Sequence, residues 1–206
     1  MEEQQAIRLL KQGDLQGLDT LTQLYYFRAV KSAYLIVQDR GEAEDIVQNA
    51  FLHACKKIDQ LAADRFGPWF LRIVINTSLK VARKQKKQVS LSIETGEEAQ
   101  TLEDLLVDRQ PSPETQVETE ELSQEIWQAL QRLSADQRAA VVLKYYLDKS
   151  EVEMTAELDV PVSTIKWRLY AARERLKDLL RPYFFPPKSS PTQPPFVPEK
   201  ENRKIS

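Results

Sequence analysis

Apolar residues recur every three or four positions in the first part of the chain, a spacing that predicts amphipathic α-helices. A continuous stripe runs from Ala43 to Ile58, and a further helix is expected to begin at Gly67-Pro68, because proline is tolerated in the first helical turn. The residues expected to face inward are Phe27, Val30, Tyr34 and Val37, then Ala43, Ile46, Val47, Ala50, Phe51, Ala54 and Ile58, and then Phe66, Phe70, Ile73, Val74, Thr77 and Val81.

The second part of the chain has the same periodicity in shorter segments. Asp159-Val160-Pro161 separates a short helix from a longer one, which is the helix-turn-helix pattern, and Asp159 occupies the turn, where a positive φ is often needed. Helix starts are expected at the pairs Asp39/Glu42, Ser134/Gln137 and Ser150/Glu153, which resemble capping boxes. The inward residues are expected to be Leu122, Ile126, Ala129, Leu130, Leu133, Ala139, Val142, Leu143, Tyr146, Val162, Ile165, Leu169, Ala172, Leu176 and Leu179.

Two segments interrupt this pattern. An acidic stretch with Gly96, Pro111 and Pro113 lacks sustained periodicity, and the residues after Arg181 contain seven of the eleven prolines, a composition that favours an extended tail over a helix. We therefore predict an all-α protein of two small helical domains joined by a flexible acidic linker. The predicted boundaries are 1–92, 93–118 for the linker, 119–184 for the helix-turn-helix domain, and 185–206 for a proline-rich disordered tail.

Composition narrows the class of protein. The 206 residues include one cysteine, Cys55, and one histidine, His53, which argues against a disulfide framework, a cysteine-rich zinc site or a histidine-rich metal site, and no cofactor is expected. No apolar run approaches the roughly 18 residues of a membrane span. The N-terminus is acidic and polar, unlike a signal peptide, which predicts a cytoplasmic protein.

The net charge of -2 hides strong segregation. Residues 72–88 contain six basic residues and no acidic ones, residues 166–181 carry +4, and residues 94–125 carry -10, so the rest of the chain carries +8. Two basic helical regions that flank an acidic segment favour nucleic acid as a partner, although the total charge is nearly balanced.

The basic regions present candidate contact residues on helix faces opposite the apolar stripes. On the first-block helix these are Arg72, Asn76, Lys80, Arg83 and Lys87, and on the last helix Ser163, Lys166, Trp167, Tyr170 and Arg173. Asn76 is either an ordinary exposed residue or a DNA contact, and Trp167 either packs or binds. Trp69, His53 and Cys55 are expected to be structural, while Asp45 and Gln48 are either surface residues or part of a docking face.

Several linked motifs resemble the sigma-factor family. Residues 44–51 resemble the D-[LIV]-V-Q-[ED]-[TA]-F signature of sigma region 2, and residues 66–76 resemble the F-x-x-W-L-x-R-I-x-x-N stretch that follows it. Residues 133–138 resemble the L-P-x-x-x-R entry to region 4, and residues 160–174 its V-P-x-G-T-V-K-S-R-L-x-R-A-R-E recognition helix. The short spacing between the blocks resembles that of the compact extracytoplasmic-function (group 4) sigma factors.

This resemblance implies a factor without catalytic activity that binds core RNA polymerase, recognises the -10 and -35 promoter elements and aids strand opening. An anti-sigma partner, often membrane-bound in the family, is also implied. By resemblance the polymerase-binding residues are Asp45, Ile46, Val47, Gln48 and Phe51. The -10 contacts are Asp64, Arg65, Phe66, Arg72, Asn76, Lys80, Arg83 and Lys84. The -35 contacts are Ser163, Thr164, Lys166, Trp167, Arg168, Tyr170 and Arg173.

The chain departs from the family pattern at positions that bear on specificity. Trp167 replaces a small residue and Ala171 a frequent arginine, while Ser163 and Asp159 replace glycines. The segment 62–65 lacks the usual glycine-centred sequence. The family pattern therefore does not give the preferred -35 sequence, and it leaves the -10 base preference open. The main alternative is a DNA-binding regulator with a helical sensor domain. An enzyme is the weaker alternative, because the sequence has no phosphate loop, nucleophile-base pair or metal cluster.

Overall fold

The computed structural model describes residues 2–61, 65–89 and 123–184, and within these ranges it contains helices and no strands. The first block comprises α1 (Glu3–Lys11), α2 (Gln16–Val37), α3 (Arg40–Lys57) and α4 (Phe66–Val89). The second comprises α5 (123–131), α6 (Ala135–Val141), α7 (Glu151–Leu158) and α8 (Val162–Phe184). The predicted all-α architecture with a helix-turn-helix is thus confirmed, while the linker and the tail lie outside the described residues.

Helix α2 is the centre of the first block, because α1, α3 and α4 all pack against it. Val30, Tyr34 and Val37 are buried as predicted. The prediction for Phe27 is wrong: its side chain is 45% exposed, and the Lys31 ammonium lies 5.9 Å from the ring centroid. An aromatic ring outside the core can still be stabilised by a cation over its face. An apolar residue at the spacing of the helical apolar stripe therefore need not lie in the core.

Helix α1 fixes the start of α4. The Glu3 carboxylate accepts hydrogen bonds from the backbone N–H groups of Phe66 and Gly67 at 3.0 and 3.4 Å. These donors lack partners within a helix, so the acidic side chain satisfies them and matches the helix dipole. Tyr25 packs directly on Gly67, where an added Cβ would lie 2.6 Å from the phenol oxygen. Burial, together with Glu3, raises the pKa of Tyr25 to about 12.

Local sequence signals set the helix starts of the second block. Ser134 with Gln137 and Ser150 with Glu153 both form reciprocal capping boxes. In the first block the Asp39 side chain accepts from the Glu42 N–H at 2.7 Å, as expected of an N-cap. Asp159 ends α7 with φ +51°, so the predicted left-handed turn between α7 and α8 is confirmed.

Four details of the second block differ from prediction. Trp127 is buried and Ile126 is 36% exposed, because α5 packs its indole against the first block. Val162 is 43% exposed because it is the first residue of α8, and the helix reaches the core only one turn later, at Ile165. Helix α8 also continues through Pro182 to Phe184, although this stretch was expected to be non-helical. A proline so close to the helix end removes one hydrogen bond and leaves little helix to disrupt.

The two blocks pack against each other, which the sequence did not predict. Helix α6 contacts α2 and α4, and most of the buried apolar residues form one cluster that extends across both blocks. Trp127 stacks on Tyr34 of α2 with centroids 4.5 Å apart and planes 12° apart. The buried Arg138 donates from Nε to the Ile36 carbonyl at 2.9 Å and from Nη1 to the Leu133 carbonyl at 2.8 Å. We call this contact region the interblock interface.

The capping role of Glu3 is testable by unfolding. Glu3→Ala should lower the free energy of unfolding by about 1–2 kcal/mol, because two N–H groups at the start of α4 lose their acceptor. The neighbouring Glu2 has the same charge but makes no side-chain capping hydrogen bond, so Glu2→Ala should change stability by only a few tenths of a kcal/mol. Urea denaturation followed by circular dichroism measures both, and equal losses would contradict the capping role.

Candidate nucleic-acid interface

Helix α4 exposes a basic face opposite its core face. Arg72, Asn76, Lys80 and Arg83 are exposed, as predicted from their spacing, and Lys84 is exposed with them. We call these five residues the α4 stripe. The core face is wider than predicted, since Leu71, Ile75, Leu79 and Ala82 are also buried. Helix α4 contacts α2 and α3 of its own block and also α6 and α7 of the second block. Lys87 lies where side chains are outside the described part of the chain.

Two residues of the α4 stripe are engaged by the second block. The Asn76 amide donates to the Glu157 carbonyl of α7 at 3.0 Å. The Arg83 guanidinium pairs with the Asp136 carboxylate of α6, with Nη2 and Oδ1 2.6 Å apart. Asn76 is therefore exposed, yet its side-chain amide has a hydrogen-bond partner. In this arrangement Asn76 donates to a carbonyl oxygen and Arg83 to a carboxylate oxygen. Both acceptors resemble the oxygens of nucleic acid.

The start of α4 supplies fewer exposed candidates than the resemblance implied. Asp64 lies outside the described residues, and Arg65 is exposed. Phe66 is fully buried and stacks on Phe70 with centroids 5.2 Å apart, so the structure contradicts a direct DNA contact for its side chain. Its ring belongs to the core because α4 begins against α2. Trp69, expected in the core, is half-buried and meets Phe66 edge-on.

Helix α8 presents an aromatic and basic surface. Trp167 and Tyr170 are 65% and 60% exposed. Of the alternatives for Trp167, packing in the core is therefore excluded. Ser163, Lys166 and Arg173 are exposed with them, and Thr164 is half-buried. A polar, aromatic and basic surface on the second helix of a helix-turn-helix fits contacts with base edges and phosphates.

Arg168 does not belong to this surface. Its side chain is only 12% exposed, and its Nη2 lies 2.8 Å from Oδ1 of Asp136. The predicted DNA contact for Arg168 is thus contradicted in this arrangement, because the guanidinium faces α6 inside the helix-turn-helix. Asp136 consequently accepts from two arginines, Arg83 of the first block and Arg168 of its own block.

The face of α3 predicted to dock on polymerase divides into exposed and buried residues. Asp45 and Gln48 are exposed, whereas Ile46, Val47 and Phe51 are buried at 4, 0 and 7% exposure. Those three side chains therefore support the helix from the core, and their burial disagrees with the predicted direct contact. Sequence reasoning missed Leu52, which is 59% exposed. Its spacing of seven and four residues from Asp45 and Gln48 places all three on one side of α3.

A groove of about 610 Å³ lies between α3 and α4. Its lining includes Trp69, Arg72 and Asn76 on α4, and His53 on α3. His53 was expected to be structural, but it is exposed at the α3–α4 groove and is not part of the core. Cys55 is half-buried against the core, and burial raises the pKa of its thiol.

Among the helices of the described ranges, none combines the length and the apolar character of a membrane span.

Comparisons with known proteins identify both blocks. Residues 21–88 match the family model "Sigma-70 region 2", and residues 123–176 match "Sigma-70, region 4". The ECF RNA polymerase sigma factor SigW of Bacillus subtilis is 33% identical over 177 residues, which are 85% of this chain and 95% of the relative. The ECF RNA polymerase sigma-E factor of Escherichia coli K12 is 27% identical over 88% of this chain and 96% of its own.

Solved structures share the fold. The sigma factor RpoE of Bartonella quintana, in complex with the anti-sigma factor NepR, has a TM-score of 0.58 and 26% identity over 79% of this chain and 97% of its own. CnrH, in complex with the cytosolic domain of CnrY, has a TM-score of 0.58 and 20% identity over 86% and 96%, which bears on the fold alone. The protein belongs to the ECF RNA polymerase sigma factors of the sigma-70 family, non-catalytic initiation factors that direct RNA polymerase to specific promoters.

Proposed function

We propose that the two blocks divide promoter recognition between them. The first block, 1–92, holds the -10 element with the α4 stripe and Arg65. The second, 119–184, reads the -35 duplex with Ser163, Thr164, Lys166, Trp167, Tyr170 and Arg173 of α8. The observation that carries this assignment is that each block exposes one basic helix face opposite its core. Such faces bind the phosphate backbone, and neighbouring polar and aromatic side chains contact bases.

Strand opening follows from the same assignment. A base that leaves the duplex loses stacking worth a few kcal/mol, and a protein can offset this loss with stacking and hydrogen bonds to the extruded base. Asn76 and Trp69 lie at the α3–α4 groove beside Arg72, so an amide, an indole and a cation are close together there. These groups supply a hydrogen bond, a ring face and a phosphate partner without a nucleotide-hydrolysing step.

The polymerase contact is assigned to the exposed side of α3. Asp45, Gln48 and Leu52 would touch core polymerase, while Ile46, Val47 and Phe51 hold α3 in place from the core. The acidic linker, 93–118, would follow the basic channel through which RNA later leaves, because its charge resembles that of nucleic acid. No role is assigned to the tail, 185–206.

We extend three further properties to this chain on the basis of family and relatives. The chain has no catalytic activity of its own, and it acts in the cytoplasm, where RNA polymerase acts. The solved RpoE and CnrH structures contain the anti-sigma partners NepR and CnrY. An anti-sigma factor that binds this chain would keep it from polymerase until a signal releases it.

Reconstituted transcription tests the proposed function against the regulator alternative. Core polymerase mixed with this chain, and with no other sigma factor, should start RNA at specific sites on a genomic promoter library. A regulator would act only on polymerase that already carries a sigma factor. Absence of specific starts with core polymerase alone, given starts with a control sigma factor, would refute the proposal.

A phosphate contact by Lys84 predicts a change in salt dependence. Lys84→Ala should weaken promoter binding for all sequences alike, and should reduce the slope of log affinity against log salt by about one counterion. Lys56→Ala, an exposed lysine on α3 outside the α4 stripe, is the matched control and should leave the slope unchanged. Filter binding of the holoenzyme across a salt series measures both. An unchanged slope for Lys84→Ala would count against the contact.

Exposure of Trp167 predicts a change in specificity without a change in stability. Trp167→Ser should alter the preferred -35 sequence in a randomised promoter library, while unfolding free energy stays within about 0.5 kcal/mol because the indole is outside the core. Tyr145→Ser removes a ring that is 59% exposed on the π-helical turn Val142–Tyr146, which follows α6 in the same block. That control should select the wild-type -35 sequence, and if Trp167→Ser selects it too, the readout role is wrong.

A further inference from the structure

A cavity of about 590 Å³ lies between the two blocks, beside the buried Arg138. Its walls come from the end of α2, from α4, and from the segment that runs from the end of α5 into α6. Two of its lining residues are arginines, and none of the described residues that line it is acidic. We call it the interblock cavity. Its polar lining residues are Gln38, Gln85, Gln131, Arg132, Ser134 and Arg138.

The guanidinium of Arg138 is buried without a carboxylate partner in the described part of the chain. Its Nε and Nη1 atoms donate to the backbone carbonyls of Ile36 and Leu133. Its Nη2 atom makes no hydrogen bond with the described residues and is not sealed off, so the exposed 8% of the residue includes Nη2. A buried charge is destabilising unless an opposite charge or hydrogen bonds compensate it. Because Arg138 lines the interblock cavity, an anion bound there would supply the opposite charge.

Two other side chains can donate to an anion in the interblock cavity. Gln38 follows the end of α2 in the left-handed conformation, with φ +68°. Its Nε2 atom is enclosed and has no hydrogen-bond partner within the described ranges, so a rotation of this amide towards the cavity breaks no hydrogen bond from Nε2. Arg132 belongs to the other block, and its side chain is exposed at the cavity wall. Donors from both blocks thus line the same space.

We propose that the interblock cavity binds a phosphate-type oxyanion, held by Arg138, Arg132 and Gln38. A carboxylate pairs best with the two-pronged fork of a guanidinium, but Nε and Nη1 of Arg138 are already engaged and leave Nη2 alone. A phosphate group has three strong acceptor oxygens and can accept one hydrogen bond from each of several side chains. The cavity volume lies within the range of small-molecule sites, about 300–1,000 Å³, so the ligand class includes inorganic phosphate and the phosphate groups of a nucleotide.

The site is formed only while the two blocks are in contact, because Gln38 belongs to the first block and Arg132 and Arg138 to the second. A ligand that binds this arrangement and not the unfolded chain stabilises it by mass action. Phosphate should therefore raise the melting temperature of the chain as its concentration increases. None of these three residues is assigned to promoter or polymerase binding, so the proposal does not rest on those assignments.

Titration of the full chain with inorganic phosphate, without polymerase and at constant ionic strength, tests the proposal. Calorimetry gives Kd, and thermal unfolding gives the melting temperature. Arg132→Gln should raise Kd by roughly tenfold, because one charge-assisted hydrogen bond is lost. Arg175→Gln removes the same charge from an exposed site on α8 outside the cavity, and should change Kd by less than about twofold because distant exposed charges are screened. Lys80→Gln, which removes a cation of the α4 stripe, should leave phosphate binding intact.

A comparison of ligands identifies the source of the anion. If ATP binds no more tightly than inorganic phosphate, the phosphate group alone is recognised. Tighter binding of ATP would show that the cavity takes a nucleotide. Both results support the site. Succinate, a dicarboxylate, should bind more weakly than phosphate because the guanidinium fork of Arg138 is engaged by backbone carbonyls.

Three results would overturn the site. Circular dichroism establishes that each variant is folded, and Gln38→Leu, which leaves the charge of the chain unchanged, is a second cavity variant that should weaken phosphate binding. Equal stabilisation by phosphate, succinate and chloride at matched ionic strength would contradict a specific site. So would an unchanged Kd in both folded Arg132→Gln and folded Gln38→Leu. Loss of phosphate binding in Lys80→Gln would place the anion on the α4 stripe instead.

Discussion

The arrangement of the two blocks depends on one buried guanidinium. Arg138 is 8% exposed and donates to the carbonyls of Ile36, near the end of α2, and Leu133, after the end of α5. Carbonyls in the last turn of a helix have no partner within it, so one side chain satisfies acceptors at the ends of two helices, one in each block. Burial lowers the pKa of Arg138 to about 10, which still leaves it charged at neutral pH. A buried charge is costly unless it is hydrogen-bonded. The two carbonyls that accept from Arg138 therefore define how the two blocks pack against each other.

Elements governed by nearby residues could be predicted from the sequence. The capping boxes at Ser134 and Ser150 and the left-handed Asp159 depend on a few consecutive residues, and all three occur as expected. The exposed faces of α4 and α8 follow from helical periodicity. For the same reason Trp167, which lies off the apolar stripe, could be identified as a candidate contact before its exposure was known.

Features that depend on contacts between distant segments could not be predicted. Phe66 and Val47 lie in motifs associated with binding, yet both are buried, because a motif records which residues occur together and not which of them reach the surface. Trp127 differs from Ile126 by one position, and only the presence of α2 beneath α5 decides which is buried. Arg168 looks like a DNA contact until Asp136, 32 residues earlier, is found beside it.

Asp136 connects the two DNA-binding assignments through a single carboxylate. Its Oδ1 lies 2.6 Å from Arg83 of the first block and 2.8 Å from Arg168 of the second. The side chain of Arg168 is 12% exposed and that of Arg83 is 49% exposed, so the ion pair within the helix-turn-helix is less screened by solvent than the pair between the blocks. Loss of the Arg83 guanidinium would leave Asp136 paired with Arg168, so the carboxylate would not become an unpaired charge. The ion pair inside the helix-turn-helix therefore does not depend on the first block.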